Sequence, residues 1–383
     1  MIIHVFNPEH DLALAHGDSH FTPPHAAREL RMNLGFLPAL WASDGDVVLV
    51  DDADYAHKAS ARLHVAQAKV AFLTPEDFRL RFNPSVVMLS PGECQVQPWG
   101  WDAAVRHRLS QAGVPASLLP SDDQLAALRQ LSHRRTAVGL LSALRSDPLL
   151  APLTVGQSVE CTTMDSVLQV VGQWRHVVLK APWSSSGRGI KYVNRSLSRS
   201  QQGWCANTLR EQGSVVAEAY NDKVMDFGME FISDGLGHVS YCGLSLFSTL
   251  NGAYTGNLLA TEADKEALLG AYLPSSLLGD VRSRLQELLA ATVGTTYSGP
   301  LGIDMMVVAA PQTASSAAPS YLLNPCVELN LRRTMGHVAL ALSPAERPPH
   351  LSSSVHQPPR LMQITHISNY ELKLRRQLAN DQR

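Results

Sequence analysis

Apolar and polar positions alternate with two different periods along this chain. Between residues 2 and 113, short apolar runs are separated by stretches of helical spacing. Ile2–Phe6, Asp46–Val50, Lys69–Leu73 and Ser85–Leu89 read as strands. Ala26–Trp41 carries Leu30, Leu34, Leu37 and Leu40 at intervals of three and four, and reads as one helix. Asp54–Gln67 and Trp101–Ala112 are further helices, the second stopped by Gly113. Strands alternating with helices predict a parallel sheet covered on its faces, an α/β domain over residues 1–120. No GxGxxG follows any of these strands, which excludes the dinucleotide-binding reading.

The pattern then changes. Ser121–Ser132 and Arg134–Leu144 are helical and lead into a second domain. Val155–Thr162 reads as a strand, Met164–Trp174 as a helix, and Val177–Lys180 as a strand ending in a lysine. Ile190–Val193, Val215–Glu218, Gly228–Ser233 and His238–Ser245 are strands, followed by a helix at Val281–Thr292 and strands at Gly302–Val308 and Tyr321–Asn330. Ala309–Ser320, almost wholly Ala, Ser, Pro, Gln and Thr, is expected as a solvated hairpin insertion. Runs of strands with few helices predict an α+β domain over 121–343. Residues 344–383 read as a Pro/Ser/His-rich loop and a fraying tail.

The chain has 383 residues, 45% of them hydrophobic, enough to bury two or three cores. Lys and Arg number 32 against 34 Asp and Glu, and the net charge of −2 argues against nucleic acid or an anionic membrane as partner. The apolar runs are too short to span a bilayer, and the start reads as a strand rather than a signal peptide. Five widely spaced cysteines without a CxxC pair predict reduced thiols, a cytoplasmic location and no structural zinc. Oligomeric state is not legible.

Three segments carry chemistry. Lys180 ends a strand and is followed by Ser184, Ser185, Ser186, Gly187, Arg188 and Gly189, after which a new strand begins. Such a loop exposes backbone N–H groups to phosphate oxygens, with Lys180 and Arg188 as cationic donors. No GKS/T closes it and no helix follows, so it is a strand–loop–strand flap rather than a Walker A loop. Glu328, Asn330 and Arg332 recur at intervals of two and share one strand face, and Asp304 lies within another apolar strand. If those two strands pair, three hard oxygen donors converge, a set suited to Mg2+ that also holds phosphates. Between the two, Glu218, Ala219, Tyr220 and Asn221 end a strand where unused backbone groups could meet an adenine edge, and Asp226 follows as a partner for ribose hydroxyls.

The order of these parts resembles the ATP-grasp superfamily over about residues 120–340, and the preceding part resembles the open α/β domain that commonly precedes that fold. The resemblance implies an N-terminal parallel-sheet domain followed by a two-lobed ATP-grasp fold, with a flap and hinge lobe at about 150–235 and a metal-binding lobe at about 236–343. It implies that Lys180 contacts the α- and β-phosphates, that residues 184–189 form the flap, that Glu218–Asn221 hold adenine and that Asp226 holds ribose. Asp304, Glu328 and Asn330 would hold two Mg2+ ions, and Arg332 would contact the transferred phosphoryl group, giving Arg332, Arg188 and Lys180 as the catalytic cations. Where the superfamily commonly has an early lysine, this chain offers Arg134 or Arg135, and the insertion places Asp304 and Glu328 24 positions apart (328 − 304).

The implied activity is ATP- and Mg2+-dependent joining of a small carboxylate to an amine or other nucleophile through an acyl-phosphate. A small-molecule kinase and a nucleotide-binding protein without turnover are the alternatives. Asn7, Glu9, His10 and Asp11 follow the first strand, where ligands of such sheets gather, and are candidates for substrate contact. The stretch 250–257, with Tyr254 and Asn257, is expected as a substrate loop, and His337 is a further candidate. The identity of the substrates is not legible.

Overall fold

Four short strands near the N-terminus build the sheet of the first unit, and the aliphatic side chains of the first two are almost wholly buried. They are β1 (Ile2–Val5), β2 (Val47–Leu49), β3 (Ala71–Leu73) and β4 (Gln95–Pro98). The computed structural model describes residues 1–63, 68–82, 92–184, 189–250, 253–310, 320–345, 359–366 and 368–376. The strands form a parallel sheet in the order β3-β2-β1-β4, with Ile3 opposite Val47 and Val96. Helices α1 (His10–His16), α2 (His25–Leu34), α3 (Ala53–Ala61), α4 (Pro75–Arg81) and α5 (Ala103–Gln111) alternate with them. Ile3, Val5, Val47, Leu49, Phe78 and Leu109 belong to the core between. Side chains of Asp52, Thr74 and Asp102 accept from backbone N–H groups at the starts of α3, α4 and α5.

The strand expected at Ser85–Leu89 lies outside the described residues. The fourth strand is Gln95–Pro98, whose alternating polar residues hid it from a search for apolar runs. Ala26–Trp41 is two pieces rather than one helix. α2 ends at Leu34, and Leu37–Leu40 forms a 3-10 turn with Pro38 near its start.

By internal packing the chain divides into two units. The first holds residues 1–129, and thus most of α6 (Asp122–Leu131), together with 255–262 and 332–383; the second holds 130–254 and 263–331.

The second unit opens with α7 (Arg135–Arg145). An antiparallel sheet follows, in the order β5-β8-β6-β7, from β5 (Ser158–Cys161), β6 (His176–Lys180), β7 (Ile190–Asn194) and β8 (Val215–Ala219). α8 (Met164–Trp174) and α9 (Arg199–Gln212) close it around Val167, Leu179, Val193, Cys205 and Val215. β9 (Lys223–Asp234) and β10 (Val239–Leu250) form a long hairpin, and the chain returns through β11 (Ala253–Leu259), α10 (Glu262–Leu269) and α11 (Ser275–Thr292). β12 (Ser298–Ala309) and β13 (Tyr321–Asn330) complete a second antiparallel run, β13-β12-β9-β10. α7 packs on β13, β5 and α11. The expected 250–257 loop is a correction: β10 extends to Leu250 and β11 begins at Ala253, so Tyr254 and Asn257 are strand residues.

The last part of the chain returns to the first unit as α12 (Met335–Leu342), β14 (Arg360–His366) and β15 (Tyr370–Arg376). β14 pairs with β11, Gly256 opposite Gln363, and forms a hairpin with β15. A Cβ on Gly256 would lie 2.3 Å from the Met362 carbonyl oxygen, so only glycine allows this approach. The reading of 344–383 as loop and tail is therefore corrected for 360–366 and 370–376. Met362 is fully buried and Leu372 nearly so, but Leu361 beside Met362 breaks the alternation, and Leu372 stands between Glu371 and Lys373. Among the described residues, no helix is long and apolar enough to cross a membrane.

His4 and Asp46 tie the first sheet to the turn before β2. His4 Nε2 lies 3.2 Å from Asp46 Oδ2, and the Ile2 and Ser43 N–H groups donate to the same carboxylate at 2.7 and 2.9 Å. Burial pushes the His4 imidazole below its ordinary value, against the pull of Asp46. Burial also draws the Asp46 carboxyl upward, but donors from Ser43, Ile2 and His4 outweigh it and hold it below its ordinary value. As pH falls through the ordinary histidine value of 6.5, the unfolded chain takes up a proton that folded His4 resists, so stability declines. A further loss follows at lower pH, as Asp46 protonates. Urea unfolding between pH 7.5 and 5 should show the first decline in the wild type, and a shallower one in His4→Gln; an unchanged slope in that variant would overturn the assignment.

Candidate active site

In the second unit, Lys180 is the last residue of β6, and its side chain is 7% exposed. β6 runs antiparallel to β8 with Val178 opposite Glu218, so Lys180 and Glu218 are diagonal neighbours on one face. Their charged groups meet at 2.7 Å (Nζ to Oε2). Lys180 is opposite Ile190 on β7, so the lysine-ended strand and the next strand pair antiparallel, as expected. The Ala181 N–H donates to the Gly189 carbonyl at 2.9 Å and closes its base. Gly189 has φ +74°, and a Cβ there would meet Ser184 Cβ at 2.8 Å, so both backbone and space require glycine. Ser185, Ser186, Gly187 and Arg188 lie outside the described residues.

Arg134, at the start of α7, joins this hairpin to the acidic strand. Its Nε donates to the Ala181 carbonyl at 3.0 Å, one terminal nitrogen donates to Ser184 Oγ at 3.2 Å, and the same nitrogen reaches Glu328 Oε1 at 2.9 Å. Arg135 turns elsewhere, to Gln130 and Glu160, and is half-exposed. Of the two arginines left open by the sequence, Arg134 is the one beside Lys180's strand.

The acidic residues come together across three strands. Asp304 on β12 is the register partner of Glu328 on β13 and of Gly228 on β9. One step along, Gly302 is opposite both Asn330 and Glu230. Two cross-strand rows thus carry Glu328, Asp304, Asn330 and Glu230 on one face, while Phe227, Met229, Ile303 and Leu329 are buried on the other. The register shifts between Asp304 and Met306, an irregularity of the kind that re-aims side chains. Gly228 leaves room beside the acids. A Cβ there would lie 3.2 Å from the Ile303 carbonyl, 3.4 Å from Glu230 Oε1 and 3.6 Å from Asp304 Oδ1. Cys326 Sγ lies within the reach of this field. Burial pushes its thiol up, and the carboxylates of Glu218 and Asp304 push it further. Among the described residues, no three His, Cys, Asp or Glu side chains converge as a ready metal cage.

Several anticipated contacts are otherwise engaged. The Ala219 and Tyr220 N–H groups, expected to be unused at an adenine hinge, donate to the Gln157 and His176 carbonyls. The cause is topology: β8 lies between β5 and β6, so both its edges are paired. Asn221 Nδ2 donates back to the Ala219 carbonyl at 3.2 Å. Asp226 accepts from Lys223 Nζ at 2.5 Å and from Thr249 Oγ1 at 2.8 Å.

Sequence reasoning gave no role to Glu230, His133 or Trp183. Glu230 shows in the spacing Asp226-x-Gly228-x-Glu230, which repeats the alternation of β13. His133 Nε2 lies 3.2 Å from Ser214 Oγ, and its ring stands edge-on to Trp183 at 4.7 Å. No local signal marks that pair.

The first unit holds the remaining candidates. Arg332, expected at the transferred phosphoryl group, belongs to this unit and forms a two-pronged pair with Asp11 at 2.9 and 2.8 Å. Asn7 Nδ2 donates to the Gly100 carbonyl and to Asp102 Oδ2, which also meets His10 Nδ1 at 3.0 Å. Glu9 Oε1 meets Arg31 at 2.5 Å and Arg108 at 2.8 Å. His337 caps α12 with Thr334, and Asn257 is fully buried in β11.

No family model and no curated protein matches this chain. Solved structures do. N5-carboxyaminoimidazole synthetase from Staphylococcus aureus complexed with ADP aligns over 95% of this chain and 82% of its own, at 11% identity and a TM-score of 0.47. A biotin carboxylase–ATP-analogue complex from Campylobacter jejuni aligns over 95% and 75%, at 12% identity and 0.48. N5-carboxyaminoimidazole ribonucleotide synthetase from Thermus thermophilus aligns over 95% and 83%, at 14% and 0.46. At this identity and score the likeness is one of arrangement alone, and the chemistry of this chain rests on its own residues.

The Lys180–Glu218 pair is mostly buried, so removing one charge strands the other. Lys180→Met should cost about 3 kcal/mol by urea unfolding. The double variant Lys180→Met/Glu218→Leu should recover most of that loss. Costs that simply add would show that the two charges are not coupled.

Proposed function

We propose that this chain is an ATP- and Mg2+-dependent ligase that joins a small carboxylate to an amine or other nucleophile through an acyl-phosphate. The observation that carries the reading is the direct pairing of Asp304 with Glu328, on a face shared with Asn330 and linked through Arg134 to the strand end that bears Lys180. Two apolar strands have no structural need of carboxylates in register, because like charges directly opposite each other are destabilising.

The donor set fits magnesium. Carboxylate and amide oxygens are hard ligands, and Gly228 keeps the space beside Asp304 and Glu230 clear of a side chain. Asp304, Glu328 and Asn330 would hold the ions, two on the superfamily's pattern. When bound, they would supply positive charge to the β- and γ-phosphates.

The chain's own groups would do the rest. Lys180, aligned by Glu218, would set its ammonium against the α- and β-phosphates. Arg134 would hold the flap base at Ala181 and Ser184, and Gly189 would permit the reverse turn. Residues 184–189 would present N–H groups to phosphate and exclude water that destroys an acyl-phosphate. Glu218–Asn221 and Asp226 would face the nucleoside, with Asp226 exchanging its contacts to Lys223 and Thr249 for ribose hydroxyls. Transfer of the γ-phosphoryl group to a substrate carboxylate gives a mixed anhydride and ADP. Attack by an amine then forms the amide and releases phosphate.

An ADP-release screen across carboxylate and amine libraries tests this. The expected result is ADP and an amide only when both co-substrates are present, with kcat in Glu328→Gln lowered about a hundredfold or more. A stable phosphate ester would make the enzyme a kinase. Activity retained in Glu328→Gln, or a flat calorimetric titration of the wild type with MgADP, would sink the metal and nucleotide assignment.

A further inference from the structure

Helix α7 begins without the usual polar cap. Its N-cap position is Arg134, whose side chain accepts nothing from the first turn. A guanidinium carries donors only. A residue that holds Ala181, Ser184 and Glu328 by its side chain therefore cannot also cap the helix.

His133, one position earlier, supplies the missing acceptor. Its Nδ1 accepts from the Arg135 N–H at 3.0 Å, and its carbonyl accepts from the Thr136 N–H at 2.9 Å. A ring nitrogen that accepts carries no proton, so the proton of the neutral imidazole sits on Nε2. Nε2 faces Ser214 Oγ at 3.2 Å and Glu160 Oε1 at 3.5 Å. The side chain is 1% exposed, and its ring stands edge-on to Trp183 at 4.7 Å. Trp183 is held in turn by its N–H, which donates to Gln212 Oε1 at 3.1 Å. The Arg134 N–H donates to the carbonyl of Pro182, the residue before Trp183. One buried imidazole thus contacts both the helix start that follows Arg134 and the segment to which the Arg134 backbone is bonded.

We propose that His133 is a positioning residue, which sets the guanidinium of Arg134 against Ala181, Ser184 and Glu328 by capping the first turn of α7. Its route is the backbone. With Nδ1 on the Arg135 N–H, the turn is closed, and the direction in which the Arg134 side chain leaves it is set. Packing against Trp183 asks only for a ring, which phenylalanine also has. The acceptor for Arg135 is a separate requirement, which phenylalanine cannot meet and asparagine can. The inference rests on the ligase reading only for what Arg134 is positioned to serve.

The test compares His133→Phe with His133→Asn in the full chain, each checked for folding by circular dichroism. Hydrogen exchange of peptides covering residues 181–184 reads the position of that segment without nucleotide, and calorimetry reads MgADP affinity. His133→Phe should speed exchange at 181–184 and weaken MgADP binding, each about fivefold to tenfold, the effect of a lost cap. His133→Asn should restore most of both. In an Arg134→Met background, His133→Phe should change neither further, because the residue through which it acts is gone. If His133→Phe does not fold, Ser214→Ala decides, since it removes a partner of Nε2 and should give the same changes at about threefold. Exchange at 181–184 unchanged in the folded variant, no rescue by asparagine, or effects that add to those of Arg134→Met would overturn the assignment. A wild type that binds no MgADP but shows the expected exchange would remove the ligase reading and leave His133 its role; MgADP binding with unchanged exchange would remove only that role.

Discussion

Two carboxylates directly opposite each other on neighbouring strands are the constraint around which the second unit is arranged. Across an antiparallel pair the side chains start about 5 Å apart, and two unit charges at that distance repel by about 3 kcal/mol near a protein surface. Asp304 and Glu328 stand in that relation, and Asn330 and Glu230 share their face. Arg134 answers part of the charge through its 2.9 Å contact with Glu328. The apolar reverse face, with Phe227, Met229 and Ile303 fully buried, holds the strands together against this repulsion. Burial on one side thus allows a face on the other that is unfavourable in itself.

The glycines follow from the same constraint. Gly228 and Gly302 lie in the two rows that carry the acids, so the carboxylates have neighbours without side chains to crowd them. Gly189 does different work. Its positive φ and the lack of room for a Cβ beside Ser184 fit it to the hairpin that Lys180 enters. Both roles are steric, and both fall next to the charged groups rather than in the helices.

The periodic parts of the fold were legible in the sequence. Met164–Trp174 and Tyr321–Asn330 coincide with α8 and β13, because long apolar alternation leaves one reading. Lys180, Asp304 and Glu328 were legible as well, since a charge in an otherwise apolar strand stands out. What failed had a common cause. Gln95–Pro98, Arg360–His366 and Tyr370–Arg376 are strands whose apolar positions are sparse, so that only pairing reveals them. The spent backbone groups at Ala219 and Tyr220 were hidden for another reason. Ala219 and Tyr220 end a strand, but only the sheet order shows that β8 is interior and its N–H groups are spent. Arg332 was placed by its period of two after Asn330, whereas β13 ends at Asn330 and the chain leaves the strand face there.

The choice of arginine at 134 has a physical consequence of its own. A guanidinium presents donors in a rigid fork, and here that fork reaches the Ala181 carbonyl, Ser184 Oγ and Glu328 at once. A lysine ammonium could meet one or two of these, but its flexible stem would not fix their relative positions. Arg134 also receives direction from its backbone, whose N–H donates to the Pro182 carbonyl at 3.3 Å. The end of β6 and the acidic strand are therefore held by one side chain, itself anchored beside Ala181. Whatever draws Glu328 away from Arg134 acts on a donor that also serves Ser184, so the electrostatic state of the acidic face and the position of Ser184 are coupled through a single residue.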